Sequence, residues 1–242
     1  MNERDGSLKA ADHPPISFPE ADWQFVCERA AALGLPELAP HRLAFEALYG
    51  HLVGVNNWLN LTRITEPREF LVRHLLDSWT ALGDPRLQHL SEGAPCVDLG
   101  SGGGYPGLPL ALATPRVPWV LVDSRQRKVN FLAEAAGLID ARASAACFRG
   151  REAKRAAPQL YRRCQLVVSR AAAAVDKLLI ECVELLAHKG HLIAFQGPGY
   201  DEAAHERALN VAEQKGYRFV TITGLQLLPE DPERMLITFQ RD

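Results

Sequence analysis

Two carboxylates bracket a run of glycines in the middle of the chain. The segment Asp98-Leu99-Gly100-Ser101-Gly102-Gly103-Gly104-Tyr105-Pro106-Gly107 follows an apolar stretch at 95–99, and Asp123 closes the next apolar stretch at 118–122. Glycines placed just after a strand let the backbone turn tightly and let a ligand come close to it. Pro106 suits the first turn of a following helix, where its missing N–H costs nothing. Gly102-x-Gly104-x-x-Gly107 also satisfies the dinucleotide fingerprint, which alone is weak evidence for any one ligand. Asp98 separates the candidates. A carboxylate two residues before the first glycine would repel a pyrophosphate and attract the ammonium and sulfonium of S-adenosylmethionine. Asp123 can accept hydrogen bonds from two ribose hydroxyls, a feature both cofactor classes share.

Those residues need elements to hold them. Residues 1–19 are polar, carry three prolines and read as a flexible tail. Residues 20–93 read as a helical extension, with helices at 21–33, 40–54 and 67–82. The stripe Leu43, Ala44, Ala47, Leu48 and Leu52 marks the second helix as amphipathic. Residues 94–242 alternate short apolar runs with helical segments. Strands are expected at 95–99, 118–122, 144–148, 164–168, 190–195, 217–223 and 234–240, and helices at 106–113, 125–137, 151–157, 174–187 and 200–215. Alternation of this kind predicts an α/β, doubly wound parallel sheet. The last two strands are joined by a turn too short for a crossover helix, so they should pair antiparallel. Seven strands with an antiparallel last strand resemble the Rossmann-like class I S-adenosylmethionine methyltransferase fold.

Bulk properties narrow the classes. The formal net charge of −2 does not advertise a nucleic-acid partner, but the distribution is uneven. Arg125 to Arg170 holds 11 Lys/Arg against three acids, whereas the first 94 residues hold 8 basic and 13 acidic residues. The five cysteines are scattered and form no C-x-x-C pair, which fits a reducing cytoplasm better than a disulfide framework or a zinc site. The N-terminus lacks the apolar core of a signal peptide, and no apolar run is long enough to span a bilayer. A soluble, cytoplasmic, monomeric protein without membrane or metal partners is therefore expected.

Other segments are more specific. Asn56-Asn57-Trp58-Leu59-Asn60-Leu61-Thr62-Arg63-Ile64, Arg73-His74-Leu75-Leu76-Asp77-Ser78, Leu121-Val122-Asp123-Ser124, Gly150-Arg151 and Ser169-Arg170-Ala171 accompany the glycine loop. Together they resemble the RsmG (GidB) family of bacterial 16S rRNA guanine-N7 methyltransferases, from about residue 40 to about residue 197. The resemblance implies transfer of a methyl group from S-adenosylmethionine to guanine 527 (rRNA numbering) in the 530 loop, on the 30S subunit or an assembly precursor. It implies cofactor contacts at Asp98, Gly100, Ser101, Gly102, Gly104, Tyr105, Asp123, Ser124, Glu152, Ala153 and Arg170, with Arg170 and Asp98 at the chemistry. It places Asn60, Arg73, His74, Asp77, Ser78, Arg149, Arg151 and Arg155 toward the RNA. The family's acid normally stands two residues after the arginine matching Arg151, its Lys-Gly after the fifth strand is Gln196-Gly197 here, and its usual Trp is Val55.

Guanine N7 carries a lone pair and no proton, so its methylation needs alignment and no general base. The fourth strand ends in Ser169-Arg170-Ala171, not in the Asp/Asn-Pro-Pro-aromatic loop used on exocyclic amines. Plainer roles compete. Arg73 and Asp77 are spaced as an i,i+4 pair. Arg170 could be the ion-pair partner of Asp98 or Asp123. The cluster Arg149, Arg151, Lys154, Arg155, Arg162 and Arg163 could be a solvated face or a phosphate-binding surface. The four tryptophans fit a core better than base stacking. A small-molecule or protein methyltransferase, a dinucleotide oxidoreductase and a non-catalytic ribosome assembly factor remain the alternatives.

Overall fold

The computed structural model describes residues 6–170 and 172–242. Three helical segments come first. Helix α1 (Glu20–Ala32) ends where Gly34 enters the left-handed region at φ +68°. Gly34 N donates to Ala31 O and Leu35 N to Ala30 O, which satisfies the last carbonyls. Helix α2 (Arg42–Leu59) runs five residues past the expected end and stops at Asn60, whose φ is +49°. Its buried face is Phe45, Leu48, Tyr49, Leu52 and Val55, a helical period, whereas Leu43 of the expected stripe is exposed. The third segment is α3 (Pro67–Phe70), a π turn (Leu71–Leu76) and α4 (Asp77–Trp79). The short α5 (Pro85–Gln88) follows, and Asp84 caps it by accepting from Arg86 N at 2.9 Å.

The described residues then form a seven-stranded sheet with β1 (Cys96–Leu99), β2 (Trp119–Asp123), β3 (Ala143–Cys147), β4 (Cys164–Arg170), β5 (Leu186–Gln196), β6 (Tyr217–Leu225) and β7 (Arg234–Arg241). The order is β3-β2-β1-β4-β5-β7-β6. Pairs among β1 to β5 are parallel, and β7 runs antiparallel between β5 and β6. Helices α6 (Gly107–Ala113), α7 (Gln126–Ala136), α8 (Ala153–Ala156), α9 (Val175–Cys182) and α10 (Glu202–Lys215) connect the strands. Successive strand residues feed two cores. Cys96, Leu121, Leu166 and Ile193 pack into one, with the N-terminal helices, α6 and α7. Val97, Val122, Val167 and Leu192 pack into the other, with α9 and α10. Burial on both faces is what near-continuous apolar strands require.

Two expectations change. Helix α9 ends at Cys182, well short of 187, because β5 begins at Leu186 opposite Cys164. Residues 6–19, expected as a flexible tail, pack on the body as far as they are described; residues 1–5 lie outside. Phe18 is buried beside Trp23, Tyr49 and Phe70, and its N–H donates to Glu46 Oε1 at 3.1 Å. Burial of that ring anchors the segment.

The chain order reverses between β1 and β4. A crevice forms outside the carboxyl ends of the strands at such a switch point.

Candidate active site

The glycine loop is built from β1 outward. Gly100 (φ +77°), Gly102 (φ +58°) and Gly104 (φ +95°) all occupy the left-handed region. A Cβ at Gly100 would meet Ala172 Cβ at 2.5 Å, so the first glycine also serves a close approach. Gly100 N and Ser101 N both donate to Val122 O, which fastens the loop to β2. Asp123 Oδ2 accepts from Gly102 N at 3.2 Å and its Oδ1 from Arg125 N at 2.9 Å. Asp98 lies wholly buried beneath the loop. Its Oδ2 accepts from Ser101 Oγ at 2.6 Å and Gly107 N at 2.9 Å. Its Oδ1 is buried with no partner. Burial pushes the Asp98 carboxyl up to about 6, against the opposing pull of the Ser101 and Gly107 hydrogen bonds.

Facing the loop is a network of arginines around Asp77. Arg170, at the end of β4, donates from Nη1 to Asp77 Oδ2 and to Arg73 O, both at 2.9 Å. Arg234, at the start of β7, donates to both Asp77 oxygens at 3.0 Å. Arg73 is taken instead by Asp231, in a two-bonded pair at 2.6 Å. The expected i,i+4 pair of Arg73 with Asp77 therefore does not form, nor does Arg170 pair with Asp98 or Asp123. Arg73 lies in the π turn and Asp77 opens α4, and each takes its partner from a distant part of the chain, Arg73 from the segment before β7 and Asp77 from the end of β4 and the start of β7.

His74 completes the network. Its Nδ1 faces Arg170 Nη2 at 3.0 Å, and its Nε2 faces Thr62 Oγ1 at 2.8 Å. Guanidinium can only donate, so Nδ1 accepts and the ring proton sits on Nε2. Burial, with Arg170 beside it, holds His74 neutral by lowering it to about 3. The ring stacks on Tyr105 at 5.0 Å between centroids.

The loop and the network enclose a cleft of about 360 Å³. Of the expected site residues, Gly100, Ser101, Gly102, Tyr105, Arg73, His74, Asp77 and Arg170 line it. Asp98 and Asp123 support the loop from behind. Gly104 turns inward, where a Cβ would strike Leu108. The others stand elsewhere. Ser78 is buried and its hydroxyl donates to His74 O. Asn60 is an exposed helix terminator, while Asn56 shapes the adjoining turn by accepting from Leu61 N at 2.8 Å and Thr62 N at 2.9 Å. Ser124, Arg149, Arg151 and Arg155 are exposed, Glu152 accepts from Arg149 N at 3.4 Å, and Ala153 is buried. Thr62, Asp231 and Arg234 were not singled out by the sequence. Only the element pattern is readable beyond residue 197, so neither Asp231 nor Arg234 carried a signal. Thr62 did lie within a recognised motif. Trp23, Trp79 and Trp119 are core residues as expected, and Trp58 is half-buried. Among the described residues no cluster of His, Cys, Asp or Glu could hold a metal ion, and no helix is long and apolar enough to cross a membrane.

Comparison with known proteins shows which family and fold the chain shares. A family model described as rRNA small subunit methyltransferase G (GidB) matches residues 42–226. A ribosomal RNA small subunit methyltransferase G of Pelotomaculum thermopropionicum is 32% identical over 214 residues, 88% of each chain. Its counterpart in Synechococcus elongatus is 34% identical, over 81% of this chain and 80% of its own. Among solved structures, an SAM-dependent methyltransferase of Methanosarcina mazei superposes with a TM-score of 0.50 at 12% identity, over 64% of this chain and 95% of its own. A protein of Agrobacterium tumefaciens described as a predicted O-methyltransferase gives 0.50 at 17% identity, over 64% and 77%. These last two share the class I methyltransferase fold.

Proposed function

The chain belongs to the rRNA small subunit methyltransferase G family, and from that premise we propose that it methylates N7 of a guanine in the 530 loop of 16S rRNA, guanine 527 in rRNA numbering. It is an S-adenosylmethionine-dependent rRNA methyltransferase. The proposal extends to a 30S subunit or precursor as substrate, a monomeric enzyme and a cytoplasmic location.

One observation supports N7 above other acceptors. Among the described residues that line the cleft, no carboxylate or imidazole is left free to act as a base. Asp77 has both oxygens occupied by guanidiniums, and His74 has both nitrogens engaged and stays neutral. A group that must lose a proton would find no acceptor there, whereas a ring nitrogen with a lone pair needs none.

The residues present fit the cofactor. Asp98 Oδ1 is a buried acceptor without a partner, which suits an ammonium group. The left-handed glycines expose backbone to the cleft, and Asp123 stands at the end of β2. We assign Asp98, Gly100, Ser101, Gly102, Gly104, Tyr105, Asp123, Ser124, Glu152 and Ala153 to holding it. Once bound, it supplies an electrophilic methyl group on sulfur. Arg170 keeps Nε and one Nη2 hydrogen without a protein acceptor among the described residues, so two donors remain to orient the base. Its other bonds hold it still, which favours alignment. Arg73, His74 and Asp77 fix Arg170 and shape the wall, and exposed Arg149, Arg155 and Arg151, the last beside Glu181 at 3.6 Å, are the cations offered to RNA phosphates.

Borohydride reduction and aniline cleavage cut RNA at 7-methylguanosine. Primer extension on treated 16S rRNA should stop in the 530 loop in cells carrying the gene and read through in cells lacking it. Identical patterns in the two strains would contradict the assignment.

A further inference from the structure

A second hollow lies at the opposite end of the sheet. Where β4 and β5 begin, a cavity of about 460 Å³ opens between α5, the turn before β1 and residues 187–190. Its charged lining is cationic: Arg86, Arg163 and Lys189 contribute to it beside three histidines and Gln165, and among the described residues no carboxylate does.

Several donors are left unused there. Asp84 occupies Nη1 of Arg86 with both its oxygens, at 2.8 and 2.7 Å. Nη2 and Nε of Arg86 hold no protein acceptor among the described residues. Gln240 fixes His191. Its Oε1 accepts from Arg218 Nε at 2.7 Å, so its Nε2 donates to His191 Nε2 at 3.0 Å. The neutral ring must then carry its proton on Nδ1, as a donor. Burial, aided by Arg86 and Arg218 against Asp84, keeps His191 below its ordinary value. Arg163 and Lys189 are exposed and form no ion pair among the described residues.

The backbone is shaped around this end. Leu186 pairs with Cys164 and His191 with Leu166, so four residues of β5 stand opposite Gln165 alone. Within that bulge Lys189 adopts φ +62°, a conformation that favours glycine or asparagine. Lysine holds the position despite the backbone, and as an exposed residue it lines the cavity.

We propose that this cavity binds a phosphate group, free or within an RNA backbone, at a site separate from the methyl-transfer cleft. Two guanidiniums, an ammonium and an imidazole N–H suit a tetrahedral oxyanion that accepts from several directions.

The test titrates inorganic phosphate into the intact protein at constant ionic strength, with backbone amide shifts as the readout. Saturable shifts are expected in 86–94, 163–166 and 187–191, and none with chloride. Combining Arg163→Gln with Lys189→Gly should weaken phosphate roughly tenfold through loss of charge-assisted bonds. Both residues are exposed and glycine suits the backbone at 189, so an unchanged melting temperature confirms the fold. No saturable shift in the natural chain, or equal phosphate affinity in the variant, overturns the proposal. Methyl transfer to small subunits then separates the sources. A KM raised roughly tenfold at constant kcat assigns the site to RNA backbone, and an unchanged KM assigns it to the free ion. The phosphate titration uses no methyl transfer, so it stands or falls independently of the rRNA substrate.

Discussion

Asp77 is buried and holds two guanidiniums on one carboxylate, Arg170 from β4 and Arg234 from β7. Removing that charge leaves two cations facing each other in a poorly solvated place. Asp77→Ala should cost about 3 kcal/mol or more in urea denaturation, as breaking a buried pair does. Asp98 makes a different prediction. Its folded pKa, about 6, lies above the ordinary 3.8. Its charge therefore opposes folding: the stability it lends is full below about 4 and is lost as pH rises through 6. Binding of a cofactor ammonium requires the charged form. Affinity for S-adenosylhomocysteine, measured by calorimetry, should fall as pH drops below about 6, and Asp98→Asn should give a flat, weaker profile. The placing of Asp98 and Asp123 at the loop was legible because one stands near the end of the strand before the glycines and the other ends the next strand. The partner of Arg170 was not legible, because it lies 93 residues away and is chosen by packing.

The π turn at Leu71–Leu76 is the element that sequence periodicity hid. Apolar Phe70, Leu71, Leu75, Leu76 and Trp79 read as one uninterrupted helix, and nothing in their spacing marks an extra residue in a turn. Existence and type of the strands were readable, because each is a short apolar run bounded by turns. The bulge in β5 was not, since 174–187 reads as a helix and the strand is expected only from 190. The β6–β7 hairpin reaches the cleft through Arg234 and is tied to the N-terminal helices by Arg73 with Asp231. Arg73→Met should free that connection. Hydrogen exchange should accelerate in residues 226–234 while amides of β1 and β4 keep their protection. Unchanged exchange would mean that the hairpin is held by other contacts.

The N-terminal helices share one core with α6, α7 and one face of the sheet. The molecule should therefore unfold in a single transition, with far-UV circular dichroism and tryptophan fluorescence coinciding. Phe18 anchors the leading segment to that core, and Phe18→Ala should lower stability by about 3 kcal/mol. His74 adds a global pH dependence. It is neutral in the fold down to about 3 but titrates near its ordinary 6.5 when unfolded, so stability should decline as pH falls below 6.5, and His74→Gln should flatten that decline. One experiment addresses the chemistry of the cleft most directly. Purified protein is given S-adenosylmethionine labelled in its methyl group and small subunits that lack the modification, and the RNA is digested to nucleosides. The label should appear in 7-methylguanosine, about one per subunit at completion, because the cleft aligns a lone pair without a base. Label in a different methylated nucleoside, or none in RNA, would contradict the account.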